Sequence, residues 1–343
     1  MVKMNARLAL SGFLMASLLF SANAQDKGTS FKEGEKYDYK TVMAAAKEVV
    51  VKADTSTSTV VNWDKSPQIK VQDVSEDKVT YKTVKKTDGY KKGEKMDLIM
   101  DILSDGDTST KKPLVVFIPG GGFVQLDPVN SRKAERTWWV KNGYVVASVQ
   151  YRLVGEGYAM DALNDILDAV AWLKKNAAKY GIDPKRIAIV GNSAGGYFTA
   201  LTACYKGKDF KCAIDMYGLS DLTKVGEDYD DDCKAKHLSQ YSSEAQFVNG
   251  VFSNKTILDD PKAAAKANPV TYIDGNEPPF LFLHGDNDPL VSPSQTLIVH
   301  EALLAKGEES TRYVLEGAGH GTPAFSTEEA LKTMTDFLDK YCK

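Results

Sequence analysis

Ser193 stands in the run GNSAGG, between Gly191 and Gly195, directly after the apolar run RIAIV and directly before a helical pattern. The spacing G-x-S-x-G in that setting predicts a nucleophile elbow, a sharp strand-to-helix turn that lifts a serine hydroxyl clear of the sheet. Flanking side chains would clash in such a turn, which accounts for the glycines. A serine hydroxyl is a weak nucleophile and needs a base, itself oriented by an acid. The chain offers four histidines, His237, His284, His300 and His320. His300 falls in a helix beside Leu297 and Leu304, where packing is its expected role. His237 sits in a long polar insertion and reads as a surface residue. His284 ends an apolar strand and reads as a hydrogen-bonded turn residue. His320, in the loop EGAGHGTP between the last strand and the last helix, is the expected base. The acid should follow the preceding strand, where HGDNDPLV supplies Asp286 and Asp288. Asp286 reads as a turn residue that caps local backbone donors. Asp288, further out, is the preferred partner for the histidine, and Asp221 in GLSDL is the third candidate.

These side chains need a scaffold that brings distant loops to one edge. From about residue 78 the sequence reads as strands KVTYKTV and MDLIMDIL, then the continuous apolar run PLVVFI expected of a buried parallel strand. YVVASV, RIAIV, CAIDMYG, PFLFLHG and TRYVLE follow as further strands. Between them, apolar residues recur at helical spacing from Asp161 to Tyr180, with Gly181 placed to end that helix. Ser292 and Pro293 can cap and start another helix that Gly307 stops. Ser326 with Glu329 forms a capping box for the last one. Alternating strands and helices predict an α/β fold, a mostly parallel eight-stranded sheet with helices on both faces. Residues 218–276 interrupt the rhythm and predict a lid-like insertion before the strand that leads to the acid loop. Its acidic run EDYDDD reads first as a solvated face, with a calcium site as the alternative.

Composition narrows the function classes. At 343 residues, 43% hydrophobic and 26% charged, the chain suits one large α/β domain, here residues 77–343. In residues 1–24, Lys3 and Arg7 precede the apolar run LALSGFLMASLLF, and SANAQ offers cleavage after Ala24, the layout of a secretory signal peptide. Export to the periplasm or beyond is therefore expected, without a stable membrane anchor. Removing the segment takes away those two cations and no acid, moving the formal net charge from −3 to −5. An acidic chain gives no electrostatic case for a nucleic-acid partner. Residues 25–76 read as a polar N-terminal extension with a possible helix near YKTVMAAAKEVV. The four cysteines Cys204, Cys212, Cys233 and Cys342 fit two disulfides in an exported protein. Three connectivities are open; the short loop CYKGKDFKC favours Cys204–Cys212, leaving Cys233–Cys342. Their spacings match no zinc site.

The motifs FIPGGGF, QYRL, YGIDPKRIAIVGNSAGG, HGDNDPLVSPSQ and GAGHG occur in one order and at one spacing. With them the chain from about residue 78 to its end resembles the α/β-hydrolase superfamily. It is similar there to secreted carboxylesterases of the hormone-sensitive-lipase-like kind and to acetylxylan and feruloyl esterases. The order Ser193, Asp288, His320 is that of the superfamily. The resemblance implies attack of Ser193 on an ester carbonyl, without cofactor or metal. The oxyanion would meet backbone N–H groups of Ala194, Gly121 and Gly122, with Gly120 allowing the loop to turn. It implies a small-molecule or carbohydrate ester as substrate, with acetyl or feruloyl groups of plant polysaccharides foremost. Pro119 stands where many relatives carry a histidine that bonds the glycine loop, and the acetylxylan-esterase branch often shows proline there. Arg152 in QYRL reads as structural, and Trp138 and Trp139 as helix-to-sheet packing. A serine peptidase of the prolyl-oligopeptidase type and a non-catalytic hydrolase-fold binding module are the alternatives.

Overall fold

The computed structural model describes residues 49–343, so the expected signal peptide and most of YKTVMAAAKEVV lie outside the described residues. Among the described residues, nine strands form one sheet: β1 (Thr59–Val61), β2 (Ser75–Lys85), β3 (Lys95–Ser104), β4 (Lys112–Ile118), β5 (Val145–Val149), β6 (Ile182–Asn192), β7 (Cys212–Met216), β8 (Phe280–Gly285) and β9 (Ser310–Leu315). Their spatial order is β1-β9-β8-β7-β6-β4-β5-β3-β2. β2, β3 and β5 pair antiparallel, and every other neighbouring pair is parallel. The sheet has nine strands rather than the eight read from sequence. The additional one, β1, comes from the segment read as an extension and pairs with β9 along Val60↔Val314. Three residues with two polar neighbours carry no two-residue period, so β1 left no pattern to detect.

The helices are α1 (Lys133–Lys141), α2 (Ala159–Lys175), α3 (Ala194–Tyr205), α4 (Asp231–His237), α5 (Ser243–Asn249), α6 (Pro261–Ala267), α7 (Ser294–Ala305) and α8 (Glu328–Cys342). Alternate strand residues such as Val115, Phe117, Val190 and Ile214 bury one sheet face against Trp139 of α1 and Leu331, Met334 and Leu338 of α8. Trp139 is fully buried and Trp138 bonds Thr335, so both tryptophans pack. Arg152 is held by Asp165 through Nε at 2.7 Å, a structural role.

Two caps differ from expectation. Thr327, not Ser326, accepts from Ala330 N at the start of α8, while Ser326 donates to Glu135. At the start of α7, Ser294 N bonds Asp228 of the insertion. A carboxylate from elsewhere in the chain thus takes a position that local spacing assigns to Ser292.

The disulfide expectation is corrected. All four cysteines are free, buried thiols. Cys212, at the start of β7, and Cys342, at the end of α8, lie in one core cluster. Cys233 packs with Tyr229 and Val49 in another. Neither Cys204–Cys212 nor Cys233–Cys342 forms, because closeness along the chain did not decide which core each thiol enters. Among the described residues, no helix is long and apolar enough to cross a membrane.

Candidate active site

β6 ends at Asn192 and α3 begins at Ala194, leaving Ser193 alone in the turn with φ 55° and ψ −125°. Its N–H bonds Met216 O at 2.9 Å, tying the elbow to the end of β7. The glycine at 195 is sterically required, since a Cβ there would lie 1.9 Å from the carbonyl oxygen of Ile118. The sheet thereby presents Ser193 at its carboxyl edge, where the loops after β8 and β9 also emerge.

The loop after β9 delivers His320. Its Nε2 lies 2.9 Å from Ser193 Oγ and its Nδ1 lies 2.8 Å from Asp288 Oδ2. A carboxylate only accepts, so Nδ1 donates to Asp288, and in the neutral ring Nε2 accepts the serine hydroxyl. The Tyr217 ring meets the imidazole edge-on at 4.8 Å. Arg132 Nη1 fixes the Tyr217 hydroxyl at 2.9 Å.

Asp288 is fully buried. Its Oδ1 accepts from Leu290 N and Val291 N at 2.9 and 3.0 Å, so one carboxylate oxygen holds its own loop and the other faces the histidine. Burial alone would raise its pKa, but His320 and His284 outweigh that and hold the carboxyl well below the usual range. His284 Nε2 donates to Val291 O and lies 3.4 Å from Asp288 Oδ2.

The structure brings Ser193, His320 and Asp288 together and leaves the other candidates apart. Asp286 accepts from Gly317 N, and Asp221 accepts from Thr223 and Asn268. His300 bonds Ser310 and Thr57 O. His237 corrects its reading as a surface residue: it is 4% exposed and its Nδ1 lies 3.3 Å from Glu244 Oε1. Burial opposes its charge, yet bonds to Cys233 and Glu244 outweigh this and push its pKa up to about 10.

On the other side of the elbow lies the loop after β4. A Cβ on Gly120 would lie 2.5 Å from Asn192 O and 2.9 Å from Ser193 Cβ, so only bare backbone fits against the serine. Gly120 N bonds Asn192 Oδ1 at 3.3 Å, and Tyr151 Oη donates to Pro119 O at 2.9 Å. Tyr151 thus secures the loop at the residue where a histidine was missed. Gly121 and Gly122 both have positive φ. Among the described residues, no acceptor engages the N–H groups of Gly121, Gly122 or Ala194.

Sequence reasoning missed four contributors: Tyr151, Asn192, Asp228 and Tyr229. Tyr151 lies in the QYRL motif and Asn192 is the variable residue of the elbow, so both sat beside a recognised signal. Asp228 and Tyr229 belong to EDYDDD, where buried residues were masked by their charged neighbours. Asp228 accepts from Ser292 Oγ at 2.5 Å and Ser294 N at 2.7 Å, and Tyr229 Oη donates to Asp288 O at 3.0 Å. Both residues are buried, so the run is not simply a solvated face. Among the described residues, no group of three or more histidine, cysteine or acidic side chains is arranged to hold a metal ion.

Known proteins share this architecture. Esterase LipC of Mycobacterium tuberculosis is 29% identical over 228 residues, 65% of this chain and 56% of the relative. Dipeptidyl aminopeptidase BIII of Pseudoxanthomonas mexicana is 25% identical over 261 residues, 71% of this chain and 35% of the relative. The chain spans about half the length of the first curated relatives it matches. Among solved structures, a truncated carbohydrate esterase from gut microbiota aligns with a TM-score of 0.64 at 21% identity, covering 81% of this chain and 99% of that one. Together with the order of the strands, the fold is that of the α/β-hydrolases. The BD-FAE family model matches residues 100–303, more than half of the sequence, and the chain belongs to the BD-FAE family.

Proposed function

We propose that the protein is a serine carboxylesterase. The observation that carries this reading is the continuous hydrogen-bonded line from Ser193 Oγ through His320 to buried Asp288, with the glycine loop packed against the serine at Gly120. Ser193 Oγ attacks the ester carbonyl carbon while His320 Nε2 takes the hydroxyl proton. Asp288 holds the ring in the required tautomer and stabilises the imidazolium that forms. The carbonyl oxygen, now negative, receives hydrogen bonds from Gly121, Gly122 and Ala194 N–H and lies at the N-terminus of α3. His320 returns its proton to the departing alcohol. Water, deprotonated by His320, then releases the acid from the acyl-serine.

Relatives named as esterases support the reaction class, and the neighbour described as a carbohydrate esterase supports sugar-bound acyl esters as substrates. Short acyl groups, acetyl or feruloyl, are the proposed targets. Export through cleavage after Ala24 is part of the same reading, and Gln25 as the first residue of the secreted protein would test it. Hydrolysis of p-nitrophenyl acetate should vanish in Ser193→Ala, and retained activity would refute the assignment. Acetate release from acetylated xylan and cleavage of methyl ferulate, set beside p-nitrophenyl esters of rising length, test the acyl group. The likeness to a dipeptidyl aminopeptidase favours a peptidase as the second reading. Turnover of dipeptidyl p-nitroanilides above that of p-nitrophenyl acetate would select it.

A further inference from the structure

We propose that Tyr229 is a positioning residue for Asp288, and that through it the insertion of residues 218–276 sets the orientation of the catalytic acid; the inference rests on the serine-hydrolase reading above. Asp288 cannot aim its carboxylate independently of its backbone. Oδ1 is committed to Leu290 N and Val291 N of the same loop, so Oδ2 points wherever the loop carries it. Beside His284, which donates to Val291 O, two of the loop's anchors come from the insertion. Tyr229 Oη donates to the carbonyl of Asp288 itself, 3.0 Å away and buried. Asp228, the preceding residue, accepts from Ser292 and Ser294 at the loop's far end.

Tyr229 is itself held. Its ring stacks on His237 at 5.8 Å with a 25° interplanar angle. His237 pairs with Glu244, and Val50 N and Val51 N bond Asp228 O. A buried, clamped hydroxyl on the backbone of the acid is more than a solvated insertion needs. Displacing Oδ2 by a fraction of an ångström would lengthen its bond to His320, and misplacements of that size are felt in catalysis.

The test compares Tyr229→Phe with wild type on p-nitrophenyl acetate, together with thermal unfolding and the downfield proton resonance of the His320–Asp288 hydrogen bond. The hydroxyl is lost while the ring and its stacking remain. We expect kcat to fall roughly tenfold, KM to stay within about twofold, and the resonance to shift or broaden. Asp228→Asn weakens the other anchor and should give the same signature, and it decides the matter if Tyr229→Phe does not fold. Wild-type kcat with an unmoved resonance, even at a lowered melting temperature, makes the role merely structural and overturns the proposal. A wild-type chain inactive on every ester would refute the underlying reading and the proposal with it. An active wild type beside an equally active Tyr229→Phe refutes the proposal alone.

Discussion

Asp288 follows β8 and the glycine loop follows β4, on opposite sides of β6 and its serine, and the two flanks are held by different means. The acid flank is a polar network. Tyr229, Asp228 and His284 converge on the loop that carries one carboxylate. The glycine flank is shaped by sterics. Its side-chain bonds are those of Asn192 and Tyr151, and Phe123 is wedged among Tyr197, Phe198 and Phe247. The contrast follows from what each flank must present. A carboxylate has to be aimed, which takes directional partners. On the proposed mechanism an oxyanion donor has to be left unbonded, so the loop is held by shape, by the Pro119 carbonyl and by the N–H of Gly120 instead.

The comparison can be broken at either flank. The largest loss should come from Asp288→Asn, which leaves the loop in place but removes the charge that holds the imidazole: kcat should fall roughly a thousandfold or more in steady-state assays. Gly120→Ala attacks the other flank by shape alone, and its methyl group meets backbone that cannot yield. A fall in kcat of about a hundredfold is expected, near the value of one oxyanion donor. If Gly120→Ala is tolerated, the steric account of that flank is wrong. Tyr151→Phe frees the Pro119 carbonyl and should cost about fivefold in kcat, as the loss of one ordinary hydrogen bond would. A Tyr151→Phe loss larger than that of Gly120→Ala would mean that polar bonds govern both flanks alike.

The last effect falls on stability rather than on rate and sharpens the contrast by pH. The folded pKa of His237 is raised to about 10, so its charged form is stabilised by folding. That contribution is full below the unfolded value of about 6.5, declines as pH rises from there, and is gone above about 10. Urea midpoints of wild type should therefore fall across that window, and His237→Gln should lack this component. An identical pH profile in the variant would show that the acid flank gains nothing from His237.

The core of this arrangement was legible because each part repeats a local rule. The elbow needs its glycines within a few residues, and PLVVFI and the IAIV that follows Arg186 are buried and so remain apolar. His320 could be chosen among four histidines by its place after the last strand. His237 could not, because burial of an ion pair depends on Glu244 finding it, and polar sequence around a buried pair resembles polar sequence around none. Tyr229 was hidden by the same logic: five acidic neighbours described the surface of EDYDDD and not the residue turned inward. β1 was too short to show a period, and the cysteines were paired by separation when cores decided their neighbours.

The turn at Ser193 has a consequence for how such a protein changes over time. A serine at φ 55° occupies backbone that a residue with a side chain adopts at a cost on the order of 1–3 kcal/mol. Glycine would adopt it with less strain. Ser193→Gly should therefore melt later than wild type while losing its chemistry, so thermal selection and catalytic selection pull this one position in opposite directions. On the proposed mechanism, a descendant relieved of its substrate would gain stability by exchanging its nucleophile for glycine.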